Sequence, residues 1–191
     1  MTLYFITGSA GKFKEAQAVL PELQQLDLDL PEIQEIDAQK IIAAKLTAAQ
    51  QHHAGSFIVE DTSLAIASLN GLPGPLIKWF LKKLGNDGLA RIARSQNTSS
   101  VSDSSSVLVN AEARTVIGYV DEQHRVSFFE GVIKGSIILP RGERGFGWDP
   151  IFVPEGFDRS FAEMTLEEKN QLSMRRLAFN KLKQFLLSRE Q

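Results

Sequence analysis

The sequence predicts an α/β fold, a mixed central sheet flanked by helices, in a single domain over residues 1–191. Three observations predict it. Strand-like and helix-like apolar patterns alternate in the first third, strand-like runs dominate residues 105–138, and the last stretch is helical. The 191 residues are 43% hydrophobic, enough for one substantial core or two lobes sharing one. No internal repeat and no linker interrupts them. The nearest approach to low complexity, "SQNTSSVSDSSS", is short and reads as a loop entering a strand.

The apolar run Leu3-Tyr4-Phe5-Ile6 is the first strand. Lys12 to Leu20 follows with Phe13, Ala16, Val19 and Leu20 at helical spacing, and Pro21 ends it. Leu26 to Leu30 alternates apolar and acidic residues as a strand does, and "PEIQEID" is a polar connection. Ile36 to Gln51 is alanine-rich and helical, with Ile41, Ala44, Lys45 and Ala48 along one side. "SFIVEDTSLAIASL" is a strand that changes character at Glu60-Asp61, and "NGLPGP" is a loop. Two short helices follow, Leu76 to Leu84 and about Asp87 to Arg94. "VLVNAEA", "TVIGYV", "VSFFEGVI" and "GSIIL" are three or four strands, and residues 140–150 form a polar, glycine-rich loop. Thr165 to Glu168 is a T-x-x-E capping box, which opens one helix to about Ser188 with Leu172, Phe179, Leu182 and Leu186 on one face.

Composition excludes several function classes. A net charge of -2 gives no electrostatic footprint for nucleic acid. With no cysteine there is no disulfide, no thiolate zinc site and no thiol catalysis. The three histidines are too scattered for a metal cage. No apolar run is long enough to span a bilayer, and no signal-peptide pattern opens the chain, so a cytoplasmic protein without membrane partners is expected.

Four stretches carry chemistry. Thr7, Gly8, Ser9, Ala10, Gly11 and Lys12 lie between a strand and a helix start. Glycines let backbone N–H groups approach an anion, a helix N-terminus attracts negative charge, and lysine suits phosphate. A P-loop needs G-x-x-x-x-G-K-[ST]; here Gly8 and Gly11 are three apart, and Phe13 stands where Ser or Thr would hold magnesium. Two readings therefore stay open, a phosphate site of another type or a plain turn with Ser9 near the cap. Glu60-Asp61 places adjacent carboxylates in an apolar strand, so one faces a buried side and needs a partner, commonly a cation. Glu32 adds a third acid just after a strand, and such oxygen-rich sites suit Mg²⁺; alone, Glu32 reads as a surface acid. Lys12, Lys45, Lys78, Lys169 and Arg175 lie in or beside these stretches, with Lys45 on an apolar helix side where snorkelling competes with function. "FGWDPIF" sets Phe146, Trp148 and Asp149 in a loop fit either to stack on a flat ring or to pin itself by aromatic anchors.

In order, "TGSAGKFKE", "LPEIQ", "VEDTSL", "GLPGPLIKWFL", "FGWDPIF" and "EKNQLSMRR" closely resemble the inosine triphosphate pyrophosphatase family over residues 7–176. The resemblance implies an elongated two-lobed fold with a cleft, a homodimer, and Mg²⁺-dependent hydrolysis of the purine nucleotides ITP, dITP and XTP to monophosphate and pyrophosphate. It implies that Thr7, Gly8, Ser9 and Lys12 line the phosphate side, with Lys45 and Lys78 also binding substrate. It implies that Glu32 and Asp61 hold the metal, that Asp61 activates water with Lys12 and Lys45 assisting, and that Phe146, Trp148 and Asp149 wall the base. Lys169, Ser173 and Arg175 complete that base pocket. Two positions depart from the family pattern: Ser9 replaces an asparagine and Met174 a histidine. Altered base preference and a non-catalytic nucleotide sensor are the alternatives.

Overall fold

The computed structural model describes residues 2–96 and 108–189; the reading of 95–106 as a loop entering a strand falls largely outside them. Seven strands and five helices are formed by the described residues. They run β1 (Tyr4–Ile6), α1 (Ala10–Gln17), β2 (Gln24–Leu26), α2 (Ala38–Gln50), β3 (Phe57–Ile66), β4 (Pro73–Gly74) and α3 (Ile77–Ser95). Then come β5 (Val109–Val120), β6 (Val126–Ile137), β7 (Phe152–Pro154), α4 (Leu166–Leu172) and α5 (Met174–Ser188). The sheet order is β2-β1-β3-β5-β6-β7, with β4 paired to β3. β1 is parallel to β2 and β3, whereas β3–β4 and β6–β7 are antiparallel, so the sheet is mixed as expected.

Two compact units divide the chain: residues 1–62, 114–131 and 170–191, and residues 63–113 and 132–169. In the first, strand alternation sorts side chains onto two helical layers. Phe5, Ile58, Ile117 and Tyr119 pack with Ala16 and Val19 around α1 and with Ala178, Phe179 and Leu182 of α5. Ile6, Phe57, Val59, Val116 and Val120 pack with Ile42, Leu46 and Ala49 of α2. α2 and α5 each bury an i, i+3, i+4, i+7 stripe, and strand residues of opposite parity feed opposite layers. In the second unit, the rings of Trp148, Phe152 and Phe161 lie 5.3–6.2 Å apart between centroids. Ile77, Leu89, Ala90 and Ala93 of α3 are buried there too.

Several boundaries differ from the sequence reading. The strand expected over Leu26–Leu30 is Gln24–Leu26, because Leu26 pairs with Ile6 and the residues after it leave the ladder. The expected helices 76–84 and 87–94 do form, as the two segments of α3 that part at Gly85, whose φ of 65° and ψ of -179° only glycine adopts readily. The four short runs are two twelve-residue strands, β5 and β6. Two glycines inside them mark close approaches of helices to the sheet. A Cβ on Gly118 would strike Ile42 of α2, and one on Gly131 would strike the Met174 carbonyl. The expected last helix is two, because Ser173 leaves helical geometry at φ -69°, ψ 151° and its hydroxyl caps α5 by accepting from Arg176 N–H at 3.2 Å. The Thr165–Glu168 capping box forms as read, with reciprocal bonds of 2.7 and 3.2 Å.

Candidate active site

The turn between β1 and α1 is held by its own hydroxyls. Thr7 Oγ1 accepts from Ser9 N–H at 3.1 Å, and Ser9 Oγ caps α1 by accepting from Lys12 N–H at 3.3 Å. Gly8 lies close to Asp27; a Cβ there would stand 3.3 Å from its carboxylate. What the turn sends inward is Lys12.

Glu60 and Asp61 part company on β3. Glu60 shares parity with Ile58 and faces α1 and α5; Asp61 shares parity with Val59 and faces α2. Glu60 Oε2 and Oε1 accept from Arg175 Nε and Nη2 at 2.7 and 2.8 Å, a bidentate pair. Glu60 Oε1 also accepts from Thr62 Oγ1 at 2.7 Å and lies 3.3 Å from Lys12 Nζ. Arg175 pairs with Glu15 of α1 as well, and its Nη2 donates to Thr62 Oγ1 at 3.0 Å. Burial disfavours charge on Glu60, but Arg175 and Lys12 outweigh it and hold the carboxyl well below the carboxylate range. Burial likewise opposes the Arg175 charge, and Glu60 and Glu15 reverse it, so its pKa is raised.

The other layer carries a looser cluster. Lys45 sits on the buried stripe of α2, and its ammonium donates to Glu32 Oε1 at 2.9 Å and Asp61 Oδ1 at 3.2 Å. Burial works against its charge, but Asp61 and Glu32 prevail and raise its pKa. For Asp61 burial wins: the pKa is raised although Lys45 and Lys12 pull it down. Its second oxygen, Oδ2, is buried without a hydrogen-bond partner. Such an atom costs free energy unless another ligand takes it.

This arrangement bears on magnesium. Among the described residues no group of three or more His, Cys, Asp or Glu side chains could cage a metal. Glu32 and Asp61 offer two carboxylates, one with an unpartnered oxygen, and that donor set fits an ion bound by one or two carboxylates together with substrate phosphates.

In the second unit Asp149 Oδ2 accepts from Phe146 N–H at 2.8 Å and from Lys169 Nζ at 2.7 Å. The Lys169 ammonium also lies 4.6 Å from the Phe146 ring centroid. Phe146 is 36% exposed, whereas Trp148 is 6% exposed and packs on Phe152 and Phe161. Lys78 is exposed, 5.8 Å from the Trp79 ring.

These positions accompany a full-length match. The Ham1 family profile matches residues 3–185. The inosine triphosphate pyrophosphatase of Schizosaccharomyces pombe is 38% identical over 191 residues, covering 98% of this chain and 96% of the relative. The chain belongs to the Ham1, or inosine triphosphate pyrophosphatase, family. A family relative from Methanopyrus kandleri, a dITP/XTP pyrophosphatase, is 37% identical over 186 residues, covering 95% of this chain and 94% of the relative. Among solved Ham1 structures, the Coxiella burnetii protein superposes with a TM-score of 0.79 at 25% identity, over 97% of this chain and 98% of that one. The Staphylococcus aureus Ham1 protein gives 0.72 at 25% identity, over 98% of each chain.

Within this family frame, the structure gathers Lys12, Lys45, Glu32 and Asp61 in the first unit and Phe146, Asp149 and Lys169 in the second. It does not bring Trp148 to a surface. Ser173 is fully buried as a helix cap, and Arg175 is engaged by Glu60 and Glu15. Sequence reasoning missed Glu15 and the Glu60–Arg175 pairing. The signal for Glu15 was its spacing: it lies three residues after Lys12, beside Ala16 on the buried side of α1.

Proposed function

We propose that this protein is a Mg²⁺-dependent nucleoside triphosphate pyrophosphatase that hydrolyses ITP, dITP and XTP to the monophosphate and pyrophosphate. The observation that carries the reading is Asp61, a buried carboxylate with one oxygen on Lys45 and the other without a partner. Family membership and the activities of the relatives support it.

Glu32 and Asp61 would hold the ion, which would neutralise phosphate charge and polarise the phosphoryl oxygens. Lys12 and Lys45 add positive charge for the triphosphate, and Asp61, whose pKa is raised by burial, accepts a proton from the attacking water. Water oxygen bonds to phosphorus, the bridging P–O bond between the α- and β-phosphates breaks, and pyrophosphate leaves. Phe146 offers a ring face for the base, beside the Lys169–Asp149 pair. The Arg175 guanidinium is 1% exposed and bidentate to Glu60, which supports a structural role more directly than contact with a base.

The test is incubation with Mg²⁺ and ITP, dITP, XTP, GTP or ATP, measuring pyrophosphate and orthophosphate separately. Intact pyrophosphate from the first three is the expected result. Diphosphate plus orthophosphate would refute the bond assignment, and binding without release would make the protein a sensor.

A further inference from the structure

Asn86 stands outside every motif described above. It is the first residue after the Gly85 break in α3, and the helix beyond it is anchored by the buried side chains of Leu89, Ala90 and Ala93. Ser68 Oγ fastens the far end of that segment by donating to the Ala93 carbonyl at 2.6 Å. At the near end, Asn86 Nδ2 donates to the Gly147 carbonyl at 2.9 Å. A carbonyl only accepts, so the amide face toward it must be the NH₂ group. Asn86 Oδ1 is buried with no hydrogen-bond partner, a cost the fold accepts at this position.

Gly147 lies between Phe146 and Trp148 in a loop built on unusual backbone. Gly145 and Gly147 have φ of 77° and 63°, and a Cβ on Gly145 would strike the Asp149 carboxylate. The loop ties itself by Asp149 accepting from Phe146 N–H, and Asn86 ties it to the helix. Two left-handed glycines give such a loop alternative paths, so an external tether narrows them.

We propose that Asn86 is a positioning residue that holds the Phe146–Asp149 loop in the geometry a purine ring requires. The Gly85 break turns the amide onto the loop. This deepens the pyrophosphatase reading and rests on it.

The experiment compares wild type, Asn86→Ala, Asn86→Asp and Gly85→Ala. Asn86→Asp sets a carboxylate against the Gly147 carbonyl; Gly85→Ala forces a side chain into a φ of 65° with no new contact. One readout is KM and kcat for ITP, beside the inhibition constant of inorganic tripolyphosphate, which has no base. Losing one hydrogen bond should raise KM for ITP about 3- to 10-fold, with the tripolyphosphate constant unchanged and Asn86→Asp worst. The second readout is acrylamide quenching of Trp148 in a Trp79→Phe background, since the chain has two tryptophans. Quenching should rise in all three variants. Unchanged KM and unchanged quenching would overturn the proposal, as would tripolyphosphate inhibition weakening in step with KM. If wild type hydrolyses no nucleoside triphosphate, the underlying reading fails while quenching still decides the tether.

Discussion

Two neighbouring carboxylates on one strand live in opposite electrostatic states. Both oxygens of Glu60 are engaged, by Arg175, Thr62 and Lys12, and its pKa is driven down. Asp61 has one oxygen on Lys45 and the other on nothing, and its pKa is driven up. Burial is similar, 5% and 6% exposed, so burial alone does not separate them. Partner geometry does. A guanidinium fork satisfies a carboxylate and fixes three elements, α1, β3 and α5, at one point. A lysine ammonium shared between Glu32 and Asp61 leaves an acceptor open. The closed pair is architecture, and the open one is suited to chemistry.

The sharpest break of this comparison is Asp61→Asn. It keeps the shape of the side chain and removes the base, so ITP turnover should fall by about 10²–10⁴-fold. Melting temperature should fall little, because Lys45 keeps its pair with Glu32 and can still donate to the amide oxygen. A marked drop in melting temperature would place Asp61 with Glu60 as architecture.

Arg175→Met is the converse. It leaves Glu15 and Glu60 buried without their guanidinium, so urea unfolding should show a loss of about 3–5 kcal/mol. A variant as stable as wild type would show that the pair does not hold the fold, and would return Arg175 to the candidates for base contact.

Glu60→Gln gives the smallest effect and adds a pH signature. Glu60 has an ordinary value of 4.5 and is lowered in the fold, so its charge stabilises the fold fully above that pH. The contribution is lost as pH falls toward the folded value. The deficit of Glu60→Gln against wild type should be about 1–3 kcal/mol near neutrality and shrink progressively below pH 4.5. A deficit independent of pH in thermal melts from pH 7 downward would rule out the charged pair as its source.

Much of this was legible in residue order. Parity put Glu60 and Asp61 on opposite faces, and helical spacing put Lys45 on the inner side of α2; that side was read as Ile41, Ala44 and Ala48, whereas the structure leaves Ala44 and Ala48 half-buried and buries Ile42, Leu46 and Ala49. The capping box at Thr165 formed where it was read. The Ser173 cap was not legible, because an apolar stripe on both sides of it continued the helical pattern. The close approaches at Gly118 and Gly131 were not legible, because sequence cannot show α2 and α5 approaching the sheet. Trp148 looked like a binding surface because an aromatic ring suits a core and a ligand equally, and only Phe152 and Phe161 decided between them.

Sequence by itself determined the mixed α/β class, the strand that carries both acids and the set of cations available to them. Local pattern suffices there, since alternation and helical period are properties of consecutive residues. Tertiary structure alone decided which cation meets which acid. Arg175 reaches Glu60 across 115 positions and Glu15 across 160. No sequence rule pairs residues so far apart, and the difference between a satisfied carboxylate and an open one is set at that distance.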